Sequence, residues 1–264
     1  MLTFLIPLRA RQLTGQYELQ TELLQRTLDS ILAQTHADFS VLLICHDHPV
    51  IPQLDHPAVS VRTVHLPLPA RTNDDMCADK VLKLTLGIEW ALARGSEYVM
   101  FTDADDRVSR RLAAHAAANP GRNGWYFDKG FSYSVAEHRL RRLRDYYKIC
   151  GTCAIFRTEF LDLGPSELRP GAIVSTLAES DHDTWVARMA QRGTPIEPLP
   201  FAGAVYVRHE DSLSSIPGGR GYSAPPPTDR RPPWLRTASR LKHGLRDLSR
   251  RAPLTTFIQQ EFSL

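Results

Sequence analysis

The stretch "YVMFTDADD" (98–106) sets three carboxylates, Asp103, Asp105 and Asp106, just beyond four apolar or aromatic residues. Carboxylates this close repel one another and need a cation, a basic partner or free water. Asp103 and Asp105 lie two apart, so an extended backbone turns both side chains the same way. A following turn can bring Asp106 near. Oxygen donors of this kind suit a hard divalent cation such as Mg²⁺ or Mn²⁺, which keeps open positions for water and phosphate oxygens. A DxD at a strand end can therefore clamp a nucleotide diphosphate, with the metal stabilising the leaving group. The plainer alternative is a solvated acidic turn.

The elements that must position these residues follow from hydrophobic periodicity. "LTFLIPL" is an apolar run suited to a first buried strand, and residues 17–35 place Leu24, Leu28, Ile31 and Leu32 on one helical face. "FSVLLICHD" predicts a second buried strand ending in His46, Asp47 and His48; "VSVRTVHL" alternates and predicts a third. After the polar "PARTNDD", residues 78–94 predict an amphipathic helix through Val81, Leu84, Ile88, Ala91 and Leu92, capped by Gly95. "YVMF" is then a fourth strand that delivers the acidic cluster. Continuous apolar runs alternating with helices predict a mostly parallel α/β sheet. Ligands bind such sheets outside the carboxyl ends of the strands, where Asp47 and Asp103 to Asp106 fall.

The second half reads differently. "GWYFDKGFSYSV" and "KICGTCAIFR" suggest less regular strands flanking a short basic segment, "EHRLRRLRDYY". A helix is expected from about Ser180 to Gln191, closed by Gly193. A last strand in "IEPLPFAGAVYVRHEDSLS" ends in a second polar cluster, His209, Glu210 and Asp211. From about Ile216, "PGGRGYSAPPPTDRRPP" reads as a linker. It precedes a basic segment with Trp234, Leu235, Ala238, Leu241, Leu245 and Leu248 on roughly one helical face.

Composition bounds the function classes. The chain has 264 residues, 42% hydrophobic and 23% charged, and a net charge of +3, too small by itself to argue for nucleic acid. The first eight residues are apolar, but the run is short for a signal-peptide core and lacks a basic start. No stretch approaches the roughly 18 to 20 apolar residues of a membrane span, so a cytoplasmic protein is expected. The four cysteines do not form a disulfide framework. "CGTC" (150–153) has zinc-like spacing without a second ligand pair, and is read as small core residues.

The order of elements resembles the nucleotide-diphospho-sugar transferase fold called GT-A, most closely the family 2 glycosyltransferases, over about residues 1–215. "FLIPLR" is similar to that family's first strand, and "LQRTLDSILAQTHADFSVLLICHD" to its first helix and second strand. "FTDADD" stands where the family's "LDADD" binds metal, and "ESDHDTW" resembles its later acidic motif. The resemblance implies a GT-A type, Rossmann-like sheet with flanking helices. Residues 1–107 would form the nucleotide-sugar-binding half, 108–215 the acceptor-binding and catalytic half, and 216–264 a linker and basic helical tail.

It also implies roles by position. Pro7, Arg9 and Lys80 would line the donor pocket, with Asp79 beside Lys80 and Arg71 a weaker version of the same idea; a solvated helix end is the alternative for Lys80. Asp47 would contact the nucleotide base, although "HDHP" replaces the usual "DDGS". Asp103 would touch the ribose or help hold Mn²⁺ or Mg²⁺, with Asp105 the principal metal ligand and Asp106 a weaker candidate. His209 would be a further metal ligand or diphosphate contact, or else structural. Asp181 would be the base that deprotonates the acceptor hydroxyl, with Ser180 in place of the usual Glu and with Glu179 and Asp183 as rivals. A carboxylate at a helix N-terminus stays ionised, which suits a base, but Asp there also simply caps helices.

The expected activity is inverting transfer of one sugar from a nucleotide diphosphate, with uracil the expected base, to a saccharide or lipid-linked hydroxyl acceptor. Processive polymerases of the family carry QxxRW and membrane spans; "QRGTP" is no match. The basic C-terminal segment would either touch an anionic membrane surface or pack on the domain. The competing expectations are a sugar-phosphate nucleotidyltransferase, which usually has a Gly-rich basic loop where this chain has "RARQLTGQYEL", and a GT-A-like binding domain without chemistry.

Overall fold

The computed structural model describes residues 1–70, 72–166, 171, 173–209 and 250–264. In chain order the first half contains β1 (Leu2–Pro7), α1 (Tyr17–Leu32), β2 (Phe39–Cys45), β3 (Val59–Thr63), α2 (Asn73–Ala93), β4 (Tyr98–Phe101) and β5 (Arg107–Val108). The second half contains α3 (Leu112–Ala118), β6 (Gly124–Tyr126), β7 (Lys129–Ser134), β8 (Arg139–Arg144), β9 (Ala154–Arg157), β10 (Leu163–Pro165), β11 (Ile173–Ser175), α4 (Thr176–Glu179), α5 (Trp185–Gln191), β12 (Glu197–Pro198) and β13 (Ala204–Arg208). β14 (Arg251–Ala252) and α6 (Thr256–Phe262) close the chain.

The central sheet has seven strands in the order β12-β6-β9-β4-β1-β2-β3. β1 lies between β2 and β4 and is parallel to both, β2 is parallel to β3, and only β9 runs against its neighbours. This is the mostly parallel α/β arrangement expected from the sequence. Its strands are buried on both faces, hence the uninterrupted apolar runs: five of six β1 residues and all of β4 are buried. Leu24, Leu28 and Ile31 of α1, and Leu84, Ile88 and Ala91 of α2, complete that core.

A second, five-stranded sheet runs β14-β8-β7-β13-β5. β5 follows β4 by one turn, so the acidic cluster occupies the corner where the chain leaves the large sheet for the small one. Four differences from the sequence reading bear on the site. The basic segment expected between strands is itself a strand, β8, paired antiparallel with β7. α2 begins at Asn73, not at 78, because Thr72 caps it by accepting from the Asp75 N–H at 3.2 Å. The third strand ends at Thr63. The helix expected over 180–191 is broken: α4 ends at Glu179, Ser180 is extended, and Asp181 leads into a 3-10 turn at His182–Thr184 before α5.

The expected linker and most of the basic tail (216–249), with Arg71, Glu210 and Asp211, lie outside the described residues. Residues 251–262 pack against the small sheet: β14 pairs with β8, and Ile258 and Phe262 join Leu140 and Val205 in a second buried cluster. Among the described residues no helix is long and apolar enough to cross a membrane.

Candidate functional site

β1, β2 and β4 are parallel, so their carboxyl ends emerge on one edge of the sheet. Pro7 ends β1, and Arg9 follows in a loop whose carbonyl accepts from Gln20 Nε2 at 3.1 Å. Asp47 follows β2, and its Oδ2 accepts the Arg11 backbone N–H at 2.8 Å. That bond ties the β1–α1 loop to the end of β2. Asp47 thus has a structural engagement that the sequence did not disclose.

Beyond β4 the three carboxylates separate. Asp103 and Asp105 remain partly open, with side chains 30% and 28% exposed. Asp103 Oδ1 is paired with Lys80 Nζ, and its backbone N–H donates to Thr152 Oγ1 at 2.9 Å. Burial disfavours the Lys80 ammonium, but the Asp103 charge and hydrogen bond outweigh it and hold its pKa above the ordinary lysine value. Asp105 Oδ2 accepts from His209 Nε2 at 2.8 Å. In this arrangement Nε2 bears the proton, so His209 orients the carboxylate and does not offer it a lone pair.

Asp106 turns inward and is 1% exposed. Its Oδ1 accepts the Val207 N–H at 3.1 Å, and its Oδ2 accepts from Cys150 Sγ at 3.0 Å. Burial, then the charges of Asp105 and Asp103, raise its pKa well above the usual carboxylate value. Burial likewise raises the Cys150 thiol. All four cysteines are free, and Cys45, Cys150 and Cys153 are buried, as small core residues would be.

The segment 146–153 grips this corner. Gly151 lies so close that a Cβ there would stand 3.2 Å from Asp103 Oδ2 and 3.5 Å from Lys80 Nζ. Among the described residues, the one group of three Asp, Glu, His or Cys donors mutually within 4.8 Å is Asp103, Asp106 and Cys150. Two of its members are buried and bonded to each other. The wetter pair fits a cation better: Asp103 and Asp105 each keep one carboxylate oxygen without a protein donor among the described residues. The space beside Asp103 is one that a Cβ at Gly151 would fill.

At the start of α2 the early cap puts Lys80 and Asp79 in the second turn. Asp79 does not face the acidic cluster. It is buried, bonded to His46 Nε2 at 2.8 Å and to Lys83 Nζ at 2.6 Å, and Lys83 also donates to the Leu8 carbonyl at 2.8 Å. Burial lowers the Lys83 pKa, and Asp79 opposes the shift. This network locks the ends of β1 and β2 to α2. Its signal in the sequence is the Asp79–Lys83 spacing of four, which places both on one helix face.

The 179–183 segment sorts its carboxylates. Glu179 lines a narrow crevice against α2 with Ala78, Val81 and Leu82, and accepts from Ser166 Oγ. Asp181 is exposed and its side chain does not cap the following turn. Asp183 is exposed, and its charge raises the Cys153 thiol pKa after burial and the larger effect of Asp103. Between them His182 Nδ1 bonds the Tyr147 carbonyl at 2.8 Å. The turn carrying Tyr147 thus links the 182–184 turn to the loop that holds Asp103. Sequence reasoning passed over His182, Thr152 and Gly151, because their importance lies in this packing and not in a motif.

No family model matches the chain, and no curated protein matches it in sequence. Among solved structures it is similar to S. aureus TarS, with a TM-score of 0.48 and 12% identity over 79% of this chain. It is also similar to 4-diphosphocytidyl-2C-methyl-D-erythritol synthase of Anaerococcus prevotii, with a TM-score of 0.40 and 12% identity over 80% of this chain and 89% of that one. A third is a protein of Desulfovibrio desulfuricans described as a nucleotide-diphospho-sugar transferase, with a TM-score of 0.39 and 10% identity over 80% of this chain and 83% of that one. The chain spans 37% of the length of TarS.

Proposed function

We propose that the protein transfers one sugar, with inversion, from a nucleotide diphosphate donor to a hydroxyl acceptor. The observation that carries this reading is the corner beyond β4. Two half-open carboxylates, Asp103 and Asp105, stand at the ligand edge of a parallel sheet beside a lysine that stays charged. Residues 1–107 bind the nucleotide sugar, and 108–215 supply the acceptor side. Pro7, Arg9 and Asp47 border the nucleoside, uridine being the first choice. Asp103 and Asp105 hold Mn²⁺ or Mg²⁺, and that ion, when bound, neutralises the leaving diphosphate. Lys80 adds positive charge at the diphosphate, and His209 fixes the Asp105 carboxylate. A side chain of the 179–183 segment, which carries Glu179, Asp181, His182 and Asp183, takes the acceptor proton. The acceptor is a saccharide or a lipid-linked hydroxyl, and the basic C-terminal region offers a contact to an anionic membrane surface.

The test is a screen of nucleotide diphospho-sugars for Mn²⁺-dependent thermal stabilisation and for release of nucleoside diphosphate. Asp105→Asn is expected to abolish both metal-dependent signals while leaving the unfolding transition in place. Turnover by that variant at the wild-type rate would sink the metal role. Formation of pyrophosphate from a sugar phosphate and a nucleoside triphosphate would replace glycosyl transfer with nucleotidyl transfer.

A further inference from the structure

We propose that His182, and not a neighbouring carboxylate, is the base that takes the acceptor proton; the inference rests on the sugar-transfer reading. The imidazole is held at one nitrogen. A backbone carbonyl can only accept, so the 2.8 Å bond from His182 Nδ1 to Tyr147 O puts the proton on Nδ1 and leaves the lone pair on Nε2. Nε2 has no protein partner among the described residues and is not a buried atom, so it meets solvent. The ring is braced edge-on against Trp185, with centroids 6.2 Å apart at 77°.

Its position follows from the loop it grips. Tyr147, which holds His182, and Gly151, which crowds Asp103 Oδ2, are four residues apart. Four residues span at most about 14 Å even when fully extended, and Tyr146–Lys148 is a tighter 3-10 turn. Thr152 then accepts from the Asp103 N–H. A donor whose diphosphate lies at Asp103 and Asp105 therefore has its sugar within reach of this turn.

The chemistry favours the imidazole. Imidazole is a stronger base than a carboxylate and is the side chain that most often serves as a general base near neutral pH. The acceptor O–H proton passes to Nε2 as its oxygen bonds to the anomeric carbon. The bond from that carbon to the diphosphate oxygen breaks, and its electron pair leaves with the nucleoside diphosphate. The imidazolium then returns its proton to water. The titratable or charged groups on the elements packed about His182 are Tyr146, Tyr147 and Lys148 on the turn that holds it and Asp181 and Asp183 beside it, while Arg188 of α5 donates to Thr184 Oγ1 at 3.3 Å.

The test compares wild type with His182→Gln, Asp181→Asn and Asp183→Asn in the full chain, reading donor affinity, kcat and its pH profile. His182→Gln is expected to bind Mn²⁺ and nucleotide sugar within about twofold of wild type and to lose kcat by about 10²- to 10⁴-fold. It should also lose the acidic limb of the profile, and added imidazole should restore part of the rate to His182→Gly. ¹⁵N spectra of the wild type should show the Nδ1-protonated tautomer at neutral pH. A His182→Gln enzyme that keeps its rate and its acidic limb overturns the assignment, as does transfer of the whole effect to Asp181→Asn or Asp183→Asn. If the wild type binds no nucleotide sugar at all, it is the transfer reading that fails, and the role of His182 falls with it.

Discussion

A single methyl group at Gly151 tests whether the Asp103 corner binds a cation. The φ angle of Gly151 lies outside the left-handed range, so alanine suits the backbone. The new Cβ would stand 3.2 Å from Asp103 Oδ2, a few tenths of an ångström inside an ordinary contact, and 3.5 Å from Lys80 Nζ. The carboxylate is half exposed and can turn aside, so the fold should lose under about 1 kcal/mol, the low end of overpacking. Turning aside takes the oxygen out of position and puts an apolar group beside it. Disturbing a ligand's immediate support typically costs 10- to 100-fold in metal affinity, or about 1.4 to 2.7 kcal/mol. The assay is Mn²⁺ titration followed by electron paramagnetic resonance, beside thermal unfolding. Gly87→Ala is the control: its Cβ would meet Leu5 and Ile44 side chains at 2.9 to 3.1 Å inside the core. Overpacking of about 1–3 kcal/mol, less up to about 1 kcal/mol of helix propensity, should lower its stability and leave Mn²⁺ binding alone. Wild-type Mn²⁺ affinity in Gly151→Ala, within about twofold, would refute the cation site at Asp103.

Two further outcomes concern stability. Phe262 is 1% exposed and meets Phe131 edge-on at 5.7 Å. Phe262→Ala should cost about 3 kcal/mol, the low end for such a deletion because its small cluster can collapse. At roughly 2.1 cal/mol/K per residue of unfolding entropy, that lowers Tm by about 5 °C; an unchanged Tm would mean that the tail does not dock in solution. His115 lies against the rings of Trp125 and Phe201, and burial, then Arg111, lower its pKa. A depressed folded-state pKa means that the unfolded chain binds the proton more readily. Stability is therefore full above about pH 6.5 and falls as the pH drops through that value towards the lowered pKa. His115→Phe should flatten the change in urea midpoint between pH 7.5 and 5.5, and equal slopes in the two proteins would rule this out.

The large sheet was legible because its strands are covered on both faces. Runs such as Leu2–Pro7 and Phe39–Cys45 have one reading, and the acidic residues after them must fall on the ligand edge. The small sheet was not. In β8, Leu140 and Leu143 are three apart and suggest a helix, yet they belong to opposite faces of a strand and pack into different clusters. β14 joins β8 across more than a hundred residues, and no local pattern encodes such a pairing. The break before α5 was also hidden: Ser180, extended at φ −80°, ψ 159°, interrupts what periodicity reads as one helix. That break is what presents Asp181 and His182 on a turn instead of on a helix face.

The acidic cluster needs all three of its carboxylates because they do different work. The turn over 103–106, closed by the Asp106 N–H donating to the Asp103 carbonyl at 3.3 Å, leaves Asp103 and Asp105 partly open and turns Asp106 into the protein. There it joins Val207 of β13 to Cys150 of the gripping loop. β13 ends one residue before His209, which holds Asp105, and the loop supplies Thr152 and Gly151 to Asp103. The buried aspartate thus sets the two supports of the exposed ones. The tail enters the same structure from the other side: Glu261 of α6 accepts from Ser109 Oγ and from Arg111 Nε at 2.7 Å, just past β5. A charge cluster that looks like three equivalent carboxylates is therefore two partly open ones built on a buried third. Its geometry depends on segments more than a hundred residues away, which is why spacing alone shows the cluster but not how its members divide.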